Sequence, residues 1–522
     1  MLPATQWLAW IVPLVYVLGA IAALRRTNTW PALMLAARAA LGFATCRVLL
    51  DIGADLRGAS STVIPVAAIV ALLVAFLGWV IAGYSRTSLA REPGERRFVV
   101  ALLGTLAAVT VVLTTENLLV LIAAWAASSL TVHQLLTFYR DRPLARVAAR
   151  KKFLVSRIAE LCLLAAAALL YHRWGTLDLG TLARLAGGRG SVRPSVELAA
   201  ALIALAVLLK AAQLPVHGWL LQVMEAPTSV SALLHAGIVN LGGYVLIRLA
   251  PLISASPPAQ ALLVVVGGTT AVLAGLTTMT CPSIKTRLAW STCSQMGLMA
   301  AECGLGLYGL ALLHLLAHAL YKAHAFLCSG EAVRESTAWR MLPAGRAGSE
   351  RIRKLGQLLA APVALLVVAG SEILWNRLLH VPEIAGIAAL ICAFGIATLL
   401  WDCDSSPALY LRNLGAAILG AQLYLGWHAA IRSALGVTSV SPLPALAAWT
   451  ALCFIMLYLA QWSADGRASS VSQHRLFTWA AAGYFLDESL SGLVTRRWPR
   501  HSASALRARA TRRLTRQEGE AA

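Results

Sequence analysis

Stretches of about 20 apolar residues recur along most of the chain, and each is long enough to cross a lipid bilayer as a helix. Arg38 and Arg47 interrupt the second stretch, which makes it the weakest. The pattern predicts an all-α polytopic membrane protein with about fifteen transmembrane helices. We place the spans at 6–24, 31–50, 62–84, 97–115, 117–138, 153–172, 196–214, 228–250, 259–280, 284–303, 307–330, 356–375, 382–400, 408–430 and 444–462.

Composition argues against a soluble enzyme or a nucleic-acid binder. Charged residues make up 13% of the 522 residues and hydrophobic residues 59%, whereas about a quarter of the residues in a soluble domain are charged. So few charges cannot cover the surface of a water-soluble protein of this size. The formal net charge of +21 is therefore assigned to cytoplasmic loops rather than to a surface that binds nucleic acid.

Loop charge predicts the orientation of the chain. If the N-terminus lies outside, most basic clusters fall on one side, which the positive-inside rule places in the cytoplasm together with the C-terminus. We divide the chain into N-terminal helices (1–110), an ion-translocating core (111–380), C-terminal helices (381–465), and an amphipathic helix with an Arg-rich cytoplasmic tail (466–522). The amphipathic stretch 477–498 is either an interfacial helix or a docking element for a soluble partner.

Lysine is rare, since only six of the 44 basic residues are lysines. Lys210 and Lys322 nevertheless lie inside apolar spans, and Lys285 lies at the edge of another. A buried lysine can exchange a proton, whereas arginine stays charged. Because charges at membrane depth usually mark an ion path, we predict a cation path through these lysines. Snorkelling or a static ion pair remains the alternative.

Two histidines precede Lys322 at helical spacing. His314, His318 and Lys322 are four residues apart and share one face of a helix. Imidazoles titrate in a range that suits a proton relay, although a packed histidine stripe is also compatible. With no carboxylate or cysteine close in sequence, a metal site is disfavoured, and we expect no metal or cofactor in this chain.

The segment 210–228 interrupts two apolar spans. Pro215 and Pro227 remove helical hydrogen bonds, and broken helices in transporters commonly line the ion site. We therefore predict an ion site at this break, with a simple kink as the alternative. Further candidates in or just beyond the break are His217, Glu225 and His235.

Carboxylates within the spans are few. Glu160 lies three residues after Arg157 and is our preferred partner for Lys210, although a salt bridge that only joins helices is an alternative. Glu116 opens the fifth span and Glu372 lies late in the twelfth, so both are further candidates for the ion path.

Three stretches carry a recognisable pattern: LLKAAQLPVHGWLLQVMEAPTSVSALLHAG (208–237), SIKTRLAWSTCSQMGLM (283–299) and LLHLLAHALYKAHAFLCSG (312–330). They resemble the core of the proton-translocating antiporter-type subunits of respiratory complex I, especially the L-type subunit, and of Mrp Na⁺/H⁺ antiporters. The similarity runs from about 110 to 380. Within this superfamily, SSLTVHQLLTFYR, the tail AGYFLDE and the extension of the first stretch through GIVNLGGYVLIR resemble the DabB family, the membrane subunits of DAB inorganic-carbon pumps.

The resemblance assigns the candidate residues to two half-channels. It implies that Lys210 is the central lysine of the first, with Glu160 beside the matching Arg157 and with His235 beyond the broken helix. It implies that the second half-channel contains Lys285, His314, His318 and Lys322.

This chain departs from the family pattern at two positions. Ala126 follows Trp125 where the family has a glutamate, and His133, two turns further along the same face, could replace that carboxylate. Gly370-Ser371-Glu372 stands where the family has Ser-Lys-Asp-Glu, so the terminal lysine is missing. Both departures favour the carbon pump over complex I.

The resemblance implies a transporter subunit rather than an enzyme, in the inner membrane of a bacterium. It would conduct H⁺ or Na⁺ and couple that flow to hydration of CO₂ to bicarbonate on a large soluble DabA-type partner. That partner is carbonic-anhydrase-like and carries zinc. The alternatives are a proton-pumping L-like subunit of an NADH:quinone oxidoreductase or membrane hydrogenase, and an Mrp-type Na⁺/H⁺ antiporter subunit.

Overall fold

The structure is a computed structural model that describes residues 4–56, 65–188, 193–331, 350–380, 386–401, 407–434, 442–464 and 478–497. Within these ranges the chain is helical, apart from turns and one isolated β-bridge between Asn117 and Asp178. The helices are α1 (Ala4–Arg25), α2 (Trp30–Leu56), α3 (Val66–Ser88), α4 (Glu95–Thr114), α5 (Leu118–Leu136), α6 (Pro143–Trp174), α7 (Leu179–Ala186), α8 (Pro194–Lys210), α9 (Gly218–Leu221), α10 (Thr228–Leu233), α11 (Leu241–Arg248), α12 (Ala250–Ser254), α13 (Pro257–Thr280), α14 (Ile284–Gly304), α15 (Tyr308–Leu327), α16 (Glu350–Leu379), α17 (Gly386–Ala397), α18 (Pro407–Ala434), α19 (Pro444–Ala464) and α20 (Leu486–Arg497).

The predicted spans coincide with helices, and the chain is a multi-pass membrane protein. In the part of the chain that the structure describes, 11 helices are long and apolar enough to cross a membrane. The weak second span is among them, as Trp30–Ala54. α8, with 17 residues, and α17, with 12, are shorter than these. The all-α polytopic fold class is thereby confirmed.

Local chemistry explains where several helices begin and end. Pro143 starts α6 ten residues before the predicted span, because proline is tolerated in the first turn. Gly175 ends α6 with a φ of 66°, a left-handed conformation that glycine adopts without strain. Asp178 caps α7 by accepting a hydrogen bond from the Thr181 backbone. Hydrogen bonds from the Thr181 side chain and backbone hold the pKa of this Asp178 carboxyl below its ordinary value.

Small residues bring α13 and α14 into close contact. A Cβ atom on Gly297 would lie 2.5 Å from the Gly267 carbonyl oxygen, so a larger residue cannot occupy this crossing without displacing a backbone. The largest cluster of buried apolar residues joins helices α1 to α15. One smaller cluster lies among α16 to α19, and another joins α17 and α18 to Val264 of α13 and to the turn between α14 and α15. The broken segment after α8 lies within the large cluster.

The described residues 478–497 of the predicted amphipathic stretch do not form one continuous helix. The chain turns sharply at Gly483–Phe485, because all three residues adopt left-handed backbone angles, and α20 begins only at Leu486. Tyr484 is buried and donates from its hydroxyl to the Leu273 carbonyl of α13, at 3.1 Å. This segment therefore packs against the helices instead of lying free at an interface. The Arg-rich tail 498–522 lies outside the described residues.

Candidate functional site

The predicted interruption after α8 is present. α8 ends at Lys210, the Leu214–Pro215 peptide bond is cis, and only short helical turns precede Thr228. Interruption leaves backbone groups without helical partners, and the Leu214 N–H donates to the Thr270 hydroxyl of α13 at 3.3 Å. Irregular backbone is tolerated at membrane depth where protein groups satisfy it in this way. The break thus places the end of α8 inside the helix bundle.

Lys210 is enclosed at this break by groups from α5 and α6. Its Nζ donates to Glu160 Oε1 at 3.2 Å and to Ser129 Oγ at 3.4 Å, and lies 4.8 Å from the Trp125 ring centroid. The lysine side chain is 5% exposed and the glutamate 9%. Arg157 donates to the same Glu160 oxygen at 2.9 Å. The predicted partners of Lys210 therefore meet, with one carboxylate oxygen shared between two cations.

A second buried lysine, Lys152, lies beside this group. Its Nζ donates to the Ser129 carbonyl at 3.3 Å and lies 6.0 Å from the Trp219 ring centroid. Ser129 thus contacts Lys152 through its backbone and Lys210 through its side chain. Like charges at this proximity oppose each other. Any change in charge at Glu160 therefore alters the electrostatic energies of both lysine ammonium groups.

The C-terminal segment supplies an acidic group to the same region. Asp487 at the start of α20 accepts from Lys151 Nζ at 2.6 Å, and the lysine side chain is fully buried. Gln222 also donates to this carboxylate, at 3.4 Å. A Cβ atom on Gly218 would overlap the Asp487 carboxyl group, so glycine is required there for this contact. A carboxylate 336 residues distant in sequence thereby matches the charge of Lys151.

The second group of cations lies along α15. Lys322, 1% exposed, donates to the Leu288 carbonyl of α14 at 2.9 Å and to the Ser291 hydroxyl. One turn earlier, His318 Nδ1 lies 3.1 Å from Asn240 Oδ1. The predicted shared face of His318 and Lys322 is therefore buried against α14 and the turn before α11.

One turn before His318 on the same helix lies His314, and their ring centroids are 6.0 Å apart. We call His314 and His318 the histidine line. His314 Nδ1 lies 3.0 Å from a carboxylate oxygen of Glu302. His235 sits in a π-helical turn and stacks on Phe326 at 4.5 Å. Among the described residues, no group of three or more His, Cys, Asp or Glu side chains is arranged to hold a metal ion.

Two contacts connect α14 with the broken segment. Lys285 Nζ donates to the Thr228 hydroxyl at 2.9 Å, where α10 begins. The buried His217 ring packs on Trp290 with centroids 4.8 Å apart. Helix α14 therefore contacts the break that holds Lys210 and also the lysine of the second group.

His133 does not occupy the position that its spacing suggested. Its Nδ1 faces the Ala149 carbonyl at 3.3 Å, and the α5 side chains that contact Lys210 are Trp125 and Ser129. The reason is geometric: Lys210 meets α5 at Trp125 and at Ser129, and Ser129 lies one turn before His133. That His133 replaces the missing carboxylate stays a prediction, and the structure places its ring against the Ala149 carbonyl and the Phe153 ring.

Three further candidates take no part in the contacts described so far. Glu116 forms an ion pair with Arg248 at 2.6 Å, and its side chain is 67% exposed. Glu225 pairs with Arg142 at 3.5 Å in a partly exposed position. Glu372 is half-buried on α16, beyond the helices that hold the buried lysines.

Three residues of these groups escaped the sequence analysis. Lys152 lies one residue before the predicted span 153–172, because α6 begins at Pro143, earlier than the hydropathy pattern indicates. Glu302 lies inside a predicted span but 12 residues from His314, so helical spacing did not connect them. Asp487 lies in the stretch AGYFLDE, but no sequence pattern connects it with Lys151, which is 336 residues distant.

Comparisons with known proteins identify the family to which this chain belongs. The family model described as NADH:quinone oxidoreductase/Mrp antiporter, TM, matches residues 115–370. The probable inorganic carbon transporter subunit DabB2 of Halothiobacillus neapolitanus is 34% identical over 459 residues, covering 86% of this chain and 82% of the relative. The chain belongs to the DabB family. DabB of Hydrogenovibrio crunogenus is 51% identical over 270 residues, so that match spans about half of each chain (52% of both).

More distant similarities place DabB-type chains among the antiporter-like proteins. Subunit L of the NADH-quinone oxidoreductase of Mycobacterium tuberculosis is 35% identical over 50% of this chain and 42% of its own length. The Mrp complex from Dietzia sp. DQ12-45-1b matches with a TM-score of 0.52 at 23% identity, covering 99% of this chain and 59% of that one. An archaeal membrane-bound sulfane sulfur reductase matches with a TM-score of 0.55 at 19% identity, over 94% and 99%. These structures share the fold.

Proposed function

We propose that this chain is the cation-conducting membrane subunit of an energy-coupled inorganic-carbon pump. Inward flow of H⁺ or Na⁺ through it would drive CO₂ hydration and bicarbonate accumulation on a soluble, zinc-containing DabA-type partner. Membership in the DabB family supports inorganic carbon as the class of substrate that the pump transports. The observation that carries the ion path is the enclosed Lys210–Glu160 pair, at 3.2 Å beside a broken helix.

The Lys210 side chain can adopt two arrangements around Glu160, which the proposed path requires. Glu160 lies between Arg157 and Lys210, so Lys210 can remain with the carboxylate or turn to Ser129. Two unit charges 4 Å apart interact by about 4 kcal/mol at an effective dielectric constant near 20. A single charge change at Glu160 is therefore large enough to shift the preferred arrangement, and a cation gradient can bias such an equilibrium.

We place the chain in the bacterial inner membrane with the N-terminus outside and the C-terminus in the cytoplasm. The contact between Lys151 and Asp487 supports this placement, because it brings the C-terminal segment to the end of α6 that follows the basic loop. A soluble partner on the cytoplasmic face would be near this end of the path. Catalysis is assigned to that partner, and this chain is proposed to act as a transporter subunit.

Co-expression of this chain with its neighbouring large zinc subunit is expected to restore growth in air to a bacterium that lacks carbonic anhydrase. Lys210→Ala and Lys322→Ala should each abolish the rescue at equal membrane abundance, because each removes a buried exchangeable cation. Arg86→Ala, at an exposed helix end, is the control and should retain growth. Normal rescue by both lysine variants would contradict the proposed path.

The alternative is a subunit of an electron-transfer complex, which the 35% identity to an L subunit favours. Its redox centres would lie on other subunits. Co-purification of flavin-bearing or iron–sulfur-bearing proteins with this chain would support that alternative. An Mrp-type antiporter role would instead restore salt tolerance to a salt-sensitive strain.

A further inference from the structure

Glu302 is a buried carboxylate to which neither the sequence motifs nor the path through the lysines gives a role. It lies in the last turn of α14 and its side chain is 2% exposed. A negative charge is disfavoured at a helix C-terminus, and an ionised group at membrane depth costs several kcal/mol unless it is matched. A residue that is unfavourable on both counts points to a functional constraint rather than to packing.

Glu302 lies at the end of the histidine line. Its two carboxylate oxygens are 3.0 and 3.2 Å from His314 Nδ1. The next imidazole, His318, is held by Asn240 through its own Nδ1. Within the described part of the chain, the Nε2 atoms of both histidines are buried without a hydrogen-bond partner. Both rings are thus anchored on one side and can accept a proton on the other, between Lys322 and Glu302.

Beyond Glu302 the line meets α18. Tyr424 lies in electrostatic range of both Glu302 and Glu372, and its hydroxyl is buried without a partner among the described residues. Leu305, one turn after Glu302, packs in the same apolar cluster as Tyr424. Glu302 therefore lies where α14 and α15 meet α17 and α18.

We propose that Glu302 is the terminal proton-binding residue of the second half-channel. The inference rests on the proposed cation path through Lys322 and specifies where that path leads. His314, when protonated on both nitrogens, gives its Nδ1 proton to a Glu302 oxygen, which leaves a neutral imidazole and a neutral carboxylic acid. The acid returns to the carboxylate when it gives its proton to a water molecule on the side of Tyr424, and that water carries the proton away as hydronium.

The surroundings of Glu302 favour a proton over a metal cation as its ligand. Hard cations such as Ca²⁺ and Mg²⁺ are held by about six oxygen ligands, whereas the hydrogen-bond partner of this carboxylate is an imidazole nitrogen. An imidazole–carboxylate pair instead allows direct proton transfer across a 3.0 Å contact.

The test measures inorganic-carbon uptake by cells that express the full chain together with its neighbouring large subunit. Glu302→Gln preserves shape but cannot exchange a proton, and we expect it to reduce uptake by about tenfold or more at equal abundance. Glu302→Asp keeps an exchangeable carboxyl group and should retain part of the uptake. Glu331→Gln, an exposed carboxylate just after α15, is the control and should match the wild type.

Infrared difference spectroscopy of the purified chain in liposomes separates proton binding from a structural role. On acidification the wild type should show the carbonyl band of a protonated carboxylic acid, and Glu302→Gln should lose it. An inactive Glu302→Gln protein whose spectrum keeps every such band would overturn the proposal. So would normal uptake by Glu302→Gln while Lys210→Ala and Lys322→Ala are inactive, although the cation path itself would then stand. Normal activity of all three variants would overturn both.

Discussion

Replacing Asp487 with asparagine is expected to lower the stability of the folded chain by about 3 kcal/mol, the lower end of the range for breaking a buried ion pair. The lysine partner, Lys151, is fully buried, whereas the Asp487 side chain is 25% exposed. Loss of the carboxylate charge leaves the Lys151 ammonium enclosed without an opposite charge. The change also weakens the attachment of α20 to α6.

Thermal unfolding of the detergent-solubilised full chain measures this effect. Glu488→Gln is the matched control, because Glu488 is the exposed neighbour of Asp487 on the same first turn of α20. Combining Asp487→Asn with Lys151→Met should recover much of the loss, since the two groups form one interaction. Strictly additive losses in the double variant would show that the ion pair does not hold the segment.

Replacing Lys210 with arginine is expected to reduce cation-driven uptake by about a hundredfold, because arginine keeps its charge but cannot release a proton. The ion pair with Glu160 can still form, so this variant separates proton exchange from a static salt bridge. Lys210→Met removes both functions. We therefore expect both variants to be inactive and only the methionine variant to lose the attraction to Glu160.

Uptake by cells expressing the complete complex, normalised to membrane abundance, measures this prediction. Arg86→Lys makes the reverse exchange at an exposed site and should have no effect. Wild-type uptake by Lys210→Arg would mean that a fixed positive charge is sufficient at this position. The salt-bridge interpretation of Lys210 would then replace proton exchange.

Hydropathy predicted the helices well because a membrane span is a local property of about 20 consecutive residues. The break after α8 was also predictable, since Pro215 and Pro227 remove backbone donors wherever they stand. The meeting of Lys210 with Glu160 was expected because carboxylates within the spans are few, and the family pattern agrees with it. These features depend on short stretches of sequence or on a motif with fixed offsets.

The missed residues depend on which helix faces which. Lys152 and Lys210 meet at Ser129 because α5, α6 and the end of α8 converge, which no periodicity encodes. Glu302 and His314 lie on different helices separated by a turn, so only their packing brings them together. Spacing along α5 likewise does not reveal that Lys210 meets this helix at Trp125 and Ser129.

The central claim is that Lys210 and Lys322 change their protonation as the protein works. With only six lysines in the chain, isotope labelling of lysine side chains gives a simple nuclear magnetic resonance spectrum, and Lys→Arg variants assign each signal. Our account predicts that the Lys210 and Lys322 signals pass through a titration step within the pH range that supports uptake. Side-chain signals that stay at one position for both lysines across that whole range would contradict it.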